Sequence, residues 1–233
     1  MKALITGAAQ GIGAAIARWV DQQGGVSVGL DRNEIGTDIP VSHRIVVDLT
    51  DMEAMQRAFA EAYQHLGGID HMFLNAGIAT GTPIAQLDLA PYRSVMGINV
   101  DAMIIGTALG LRMMIEGHII LTASLAGLMP LDLDPIYTAS KHAIVGFTRA
   151  VGKQASEQGI TVQALCPGFT ETAILDTGIR PLLESLDWPI MSLDAITAGV
   201  ATMLAEPKPG ACWMVQSGLA PQRFRFAEVP HPA

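Results

Sequence analysis

Tyr137 and Lys141 stand four residues apart in Tyr137-Thr138-Ala139-Ser140-Lys141. On a helix that spacing puts both side chains on one face. An ammonium beside a phenol favours the phenolate and draws a tyrosine from its ordinary value of about 10 toward neutrality. A tyrosine tuned in this way acts as general base in alcohol oxidation, or as general acid in carbonyl reduction. Ser124 lies thirteen residues earlier, at the end of the apolar run Ile119-Ile120-Leu121-Thr122-Ala123. A strand-end hydroxyl there can orient a substrate oxygen and stabilise charge developing on it. Taken singly, the tyrosine–lysine pair also fits a solvated helix face, and the serine a local cap.

A second feature suits a nucleotide. After Lys2–Thr6 comes Gly7-Ala8-Ala9-Gln10-Gly11-Ile12-Gly13, which leads straight into a helical pattern. The spacing is G-x-x-x-G-x-G rather than G-x-G-x-x-G, but the physics is shared. Glycines without Cβ let a pyrophosphate approach the backbone, and the helix N-terminus supplies free N–H groups. Eighteen residues beyond Gly13, at the end of a second strand, stands Asp31. A carboxylate there accepts hydrogen bonds from both adenosine ribose hydroxyls and repels a 2′-phosphate. The uncharged Gln10 offers that phosphate no cation, so NAD is expected over NADP, with Arg32 the dissenting residue. Asp48, in Val46-Val47-Asp48-Leu49, either contacts the adenine edge or caps the next helix. Ile12 and Leu49 join the expected cofactor contacts.

Thr6–Gly13, Asn75-Ala76-Gly77, Asn99, Ser124, Tyr137–Lys141 and Pro167-Gly168 occur in the order seen in short-chain dehydrogenases/reductases. The chain resembles the classical branch of that family from its first strand to about Thr172. The resemblance implies that Asn99 holds a water linking Lys141 to solvent, and that Lys141 binds the nicotinamide ribose. It implies that Asn75, Ala76 and Gly77 pack along the adenosine ribose, and that Pro167, Gly168 and Thr172 flank the nicotinamide. Thr172 would bond the carboxamide. Thr170 sits where the family often carries an aliphatic residue, which leaves its backbone as the contact. Residues 172–192, within Glu171–Ser192, correspond to the family's mobile substrate loop, a lid that would exclude water. Met129, Ile174, Leu175, Trp188, Met191 and Met214 are candidates for an apolar substrate pocket.

These side chains need a scaffold, and the pattern supplies one. Apolar runs at Lys2–Thr6, Val26–Leu30, Arg44–Val47, His71–Asn75, His118–Thr122, Thr161–Leu165 and Cys212–Val215 read as strands. Between them Ile12–Gln23, Asp51–Leu66, Tyr92–Met114, Tyr137–Gln158 and Leu193–Ala205 read as helices. Several strands lack in/out alternation, as strands covered on both faces do. The α/β class follows: a Rossmann-type, doubly wound parallel sheet of about seven strands in one domain over residues 1–233. Thr50-Asp51-Met52-Glu53 has the form of a capping box, and Gly67-Gly68 supplies a stop. Only 17 residues separate Asp31 from Asp48, and 25 separate Asn99 from Ser124. Both intervals are short for the family, and a full helix over Arg32–Ser42 is doubtful. Residues 221–233 read as an extended tail, ending Pro230-His231-Pro232-Ala233.

Composition narrows the classes. The 233 residues are 50% hydrophobic and 15% charged, with a net charge of −8. Disorder is excluded, and the acidic field argues against nucleic acid. The stretch Met103–Ile115, broken by Gly106, Gly110 and Arg112, is too short to span a bilayer. Cys166 and Cys212, in no paired spacing, suit a reducing cytoplasm. Six histidines show no metal-ligand spacing, so no metal is expected. No Gly-x-Ser-x-Gly elbow surrounds Ser124, which argues against a hydrolase. Length and first-turn spacing disfavour an extended-branch dehydratase or epimerase. The expected activity is NAD-dependent interconversion of a secondary alcohol and a ketone, on an apolar small-molecule substrate, with Tyr137 moving the proton. The resemblance implies a homodimer or homotetramer through the helices after Pro91 and Tyr137. The alternative is a non-catalytic NAD-binding sensor or scaffold of the same fold.

Overall fold

The computed structural model describes residues 1–177 and 179–228. Eight strands form one sheet: β1 (Lys2–Thr6), β2 (Val26–Asp31), β3 (His43–Val46), β4 (His71–Leu74), β5 (Gly117–Thr122), β6 (Ile160–Pro167), β7 (Cys212–Val215) and β8 (Gln222–Arg223). Their order is β3-β2-β1-β4-β5-β6-β7-β8. The first seven run parallel, and β8 pairs antiparallel with β7, so an eighth strand joins the seven expected. The order reverses between β1 and β4. That is where doubly wound sheets open a crevice at the strand carboxyl ends.

Helices α1 (Gly11–Gln22), α2 (Met52–Leu66), α3 (Leu89–Met96), α4 (Ala102–Met113), α5 (Pro135–Ser156), α6 (Arg180–Ser185) and α7 (Leu193–Ala205) cover the sheet. Two apolar clusters lie on its two faces. One joins Leu4, Met72 and Ile119 to Phe59 and Met103. The other joins Ile5, Phe73 and Ile120 to Ile16, Val20 and Val200. Central strands buried on both sides explain their unbroken apolar runs.

Three local expectations are corrected. The N-cap of α2 is Asp51, whose carboxylate accepts from Glu53 and Ala54 N–H at 3.1 and 3.0 Å. Thr50 instead donates its hydroxyl to Asp48, so the capping box does not form around Thr50. At the other end Gly67, in the left-handed region at φ 60°, ends α2 as expected. The run read as one helix over Tyr92–Met114 begins at Leu89 and passes through a π turn, Gly97–Asp101, before α4. By length and composition Leu89–Met113 matches a bilayer span. Its Gly106 and Gly110, however, sit against Leu74, Met55, Met72 and Ile119, so it packs as a core helix.

The short interval after β2 carries no helix. Ile35, Ile39 and Val41 are buried there and take up the space over β2, with Arg18 of α1 holding Asp38 at 2.7 Å. The described part of the tail, residues 221–228, lies on its own chain. Arg223 approaches the Trp213 ring at 5.6 Å, and Phe226 stacks under Arg149 at 3.7 Å. His231 and its neighbours lie outside the described residues.

Candidate active site

At the end of β1 the glycine turn is drawn tight. Gly7 N–H donates to Leu30 O at 2.8 Å, with φ at +69°. A Cβ on Gly13 would lie 2.0 Å from Gly7 O, and one on Gly7 2.9 Å from Ala76 Cα. Neither position tolerates a side chain, which leaves a cradle of bare backbone. Among the described residues, Gln10 makes no side-chain cap on α1, and the first turn carries no acid. The terminal N–H groups and the dipole of α1 are therefore free to face an anion. Thr6 fastens the next loop, accepting from Asn75 and Ala76 N–H at 2.9 and 3.1 Å.

Asp31 closes β2 beside this turn. One carboxylate oxygen accepts from Ala9 N–H at 3.0 Å and the other from Asn33 N–H at 2.9 Å. The carboxylate is thus fixed at the strand end with lone pairs to spare. Asp48 is exposed and turned onto Thr50, whose backbone and hydroxyl hold its carboxyl below the usual range, with Arg32 adding a smaller effect. Leu49 is buried in the core beneath it. The cradle, the free helix terminus and the fixed carboxylate together fit a nicotinamide dinucleotide.

Across the crevice, the catalytic candidates come together from three elements. Ser124, just past β5, lies near enough to the Tyr137 phenol to favour its ionised form, and accepts from Ala126 N–H at 3.1 Å. Lys141 is buried, donates Nζ to Thr122 O at 2.8 Å, and lies 5.4 Å from the Tyr137 ring centroid. Asn99, fully buried on the π turn, accepts from Ile78 N–H and donates to Ile78 O, both at 2.9 Å. It also donates to the Ser140 hydroxyl at 3.0 Å. A Cβ on Gly77 would stand 3.3 Å from both Asn99 Oδ1 and Lys141 Nζ. Those two polar atoms therefore border one small space that only glycine keeps open.

The charge states differ from expectation. Burial pushes Tyr137 up to about 12, the nearby Ser124 hydroxyl opposes this, and the Asp134 carboxylate adds to it. Burial also brings Lys141 down to about 8. Lysine at this distance, bonded to Thr122, does not bring the tyrosine to neutrality in the chain's own field. Burial instead weakens the charged form of both groups.

Residues 1–179 match the short chain dehydrogenase family. The chain belongs to that family. Human 15-hydroxyprostaglandin dehydrogenase [NAD(+)] is 36% identical over 194 residues, covering 75% of this chain and 70% of that protein. A 2,5-dichloro-2,5-cyclohexadiene-1,4-diol dehydrogenase of Sphingobium indicum is 31% identical over 200 residues, covering 78% and 80%. Among solved structures, a Burkholderia cenocepacia short chain dehydrogenase in complex with NADP is similar at TM-score 0.82 and 25% identity, covering 93% of this chain and 96% of that one. A Brucella melitensis 3-ketoacyl-(acyl-carrier-protein) reductase complexed with NADH shares the fold at TM-score 0.84 and 22% identity, covering 92% and 95%. This short-chain dehydrogenase is an oxidoreductase acting on CH–OH groups of small molecules with a nicotinamide cofactor.

Pro167 ends β6 beside the crevice, and Gly168 N–H donates to Val215 O at 2.9 Å. The Thr170 side chain is buried and donates to Gly168 O at 3.0 Å, so it braces the turn. Thr172 lies against the glycine turn, its Cγ2 3.2 Å from where a Gly11 Cβ would be. The apolar candidates divide. Met129 and Trp188 are exposed, the latter edge-on to Phe169 at 6.0 Å. Ile174 and Met214 are half-buried. Leu175 and Met191 are buried, and Met191 Cε stands 3.8 Å from a notional Gly168 Cβ.

Sequence reading missed Asp134, which caps α5 and binds residues 80 and 81. An Asp three residues before Tyr137 signalled the cap, but its 54-residue reach to Thr80 left no local trace.

Proposed function

We propose that this dehydrogenase uses NAD to interconvert a secondary alcohol and a ketone, with Tyr137 moving the proton and Ser124 holding the substrate oxygen. The observation that carries the reading is buried Lys141, held by Thr122 O beside the Tyr137 ring, with Ser124 next to the phenol and the bare glycine cradle nearby. When bound, the nicotinamide accepts or supplies hydride at the carbon bearing that oxygen. Gly7, Gln10, Gly11, Ile12 and Gly13 would receive the pyrophosphate. Asn75, Ala76, Gly77 and Leu49 would line the adenosine side. Pro167, Gly168, Thr170 and Thr172 would bound the nicotinamide, and Lys141 would bind its ribose.

Tyr137 in its neutral form donates to a carbonyl oxygen during reduction; as phenolate it takes the alcohol proton during oxidation. Lys141, lowered to about 8, passes protons more readily than an ordinary lysine. Asn99 Oδ1 and Lys141 Nζ border the space beside Gly77, where a bridging water would continue the relay. The fixed Asp31 carboxylate supports NAD over NADP. Arg32, whose charge acts on Asp48, is the counterweight. Exposed Met129 and Trp188 support an apolar substrate. Partly exposed apolar residues along α4, among them Ile104, Ile105 and Leu109, support a homodimer or homotetramer. Two buried free thiols, Cys166 and Cys212, suit the cytoplasm.

The test is a panel of secondary alcohols of increasing apolar bulk, followed by reduced-nicotinamide absorbance with NAD and NADP in parallel. Turnover is expected with NAD and to improve with apolar bulk. Tight NAD binding without turnover across the panel would favour a nucleotide-binding sensor.

A further inference from the structure

We infer that Asp134 is a positioning residue for the reaction: its buried carboxylate clamps the backbone of residues 80 and 81 to the first turn of α5, and so sets where Tyr137 stands and what charge it faces. The inference rests on Tyr137 as the proton-transferring group.

Asp134 is 4% exposed, and four donors occupy its two oxygens. Thr80 and Gly81 N–H both reach Oδ2 at 2.8 Å. The Thr80 hydroxyl and Tyr137 N–H reach Oδ1, each at 2.9 Å. A buried carboxylate accepting this many bonds is stable without a counter-ion, and among the described residues no cation pairs with it. An N-cap alone needs only the Tyr137 contact. The other three bonds run to the loop after β4, beyond what capping the helix requires.

That loop is gripped twice. Asn99 holds Ile78 through both the oxygen and the NH2 of its side-chain amide and donates to Ser140, whose hydroxyl donates to Tyr137 O at 2.7 Å. Asp134 holds Thr80 and Gly81 and accepts from Tyr137 N–H. The two backbone polar groups of Tyr137 are thus both tied, by separate routes, to residues 78–81. Gly81, at φ +60°, makes the turn that presents two successive N–H groups to one oxygen.

The groups facing the phenol are few. Asp134 and Lys141 come from its own helix and Ser124 from the end of β5, while Cys166 of β6 faces Lys141 from behind. His142 and Asp132 are exposed. The loop of residues 78–81 brings no charge. Asp134 therefore supplies the anionic part of the phenol's field, and burial and Asp134 together favour the neutral phenol.

The experiment compares Asp134→Asn and Thr80→Val with the unmodified chain. The first removes the charge and sets an amide donor against two N–H groups or a hydroxyl. The second keeps the charge and deletes one donor. Phenolate absorbance is titrated in the ultraviolet, with Tyr137→Phe subtracted to remove Tyr63 and Tyr92. Hydrogen exchange is read at residues 80 and 81. In Asp134→Asn, Tyr137 is expected to titrate at lower pH than in the unmodified chain. Loop exchange should speed up, and kcat should fall more than KM rises. In Thr80→Val the phenol should titrate as before while the loop exchanges faster. An unmoved phenol in a folded Asp134→Asn protein, or unchanged loop exchange in both variants, overturns the inference. Should Asp134→Asn fail to fold, Thr80→Val decides alone, and unchanged exchange and kcat there overturn it. Titration and exchange need no turnover. A failure of the functional reading would appear separately, as turnover retained by Tyr137→Phe.

Discussion

The reaction centre depends on two groups whose ordinary charges are weakened by burial. With Tyr137 near 12, the base form needed for alcohol oxidation is scarce at neutral pH and grows as pH rises. Oxidation should therefore accelerate with pH, while carbonyl reduction, which uses the neutral phenol, should hold through neutral pH. Initial rates in both directions across a buffer series check this; oxidation that stays flat through the titration of Lys141 near 8 would count against it. Asp31 belongs to the same scale. Its carboxylate is pinned by Ala9 and Asn33, so Asp31→Asn removes the charge and sets its amide NH2 against one of those two N–H groups. The NAD-over-NADP ratio in kcat/KM should then fall roughly tenfold, or about 1.4 kcal/mol. The Tyr137–Lys141 pairing was legible because it lies within one helical turn. The direction of the tyrosine's shift was not, because desolvation depends on what the rest of the chain packs around the phenol.

At the scale of elements, turns and helix ends place the chemistry. Strand positions were readable from apolar runs, since strands covered on both faces leave an unmistakable composition. The π turn at Gly97–Asp101 was hidden, because Tyr92–Met114 carries helical propensity throughout. Asn99 is turned inward by its contacts with Ile78 and Ser140, which lie far away in sequence. Thr50 and Asp48 were both read as caps, but they bond each other and leave Asp51 to cap α2. The Asp134 clamp was likewise out of local view. The glycine turn gives the sharpest prediction here. Gly13→Ala drives a Cβ into a backbone oxygen that no rotamer change can move. It should destabilise the fold by about 1–3 kcal/mol. It should also weaken cofactor binding, as read by thermal melts with and without NAD. A Gly13→Ala variant that binds NAD normally would sink the cradle assignment.

Across the whole molecule, the parallel sheet separates chemistry from ballast. Strand carboxyl ends carry Asp31, Ser124 and Pro167, while the opposite ends carry Asp70, His71 and His118. Burial holds His118 below its ordinary value of 6.5, with His71 acting in the same direction and Asp70 opposing both. A histidine depressed in the folded state contributes full stability above 6.5 and loses it as pH falls toward its folded value. Denaturant midpoints should therefore drop on acidification through that window, and His118→Gln should flatten the drop. The short Arg32–Ser42 segment packs its apolar residues on the chain's own core, and the described part of the tail sets Phe226 under Arg149 of α5. Everything in the proposed chemistry turns on Tyr137 moving the proton. Single-turnover kinetics of Tyr137→Phe beside the unmodified enzyme, with NAD binding measured in parallel, test that role without intermediaries. A loss of roughly a thousandfold in turnover with NAD affinity unchanged is expected; turnover near that of the unmodified enzyme would refute the assignment.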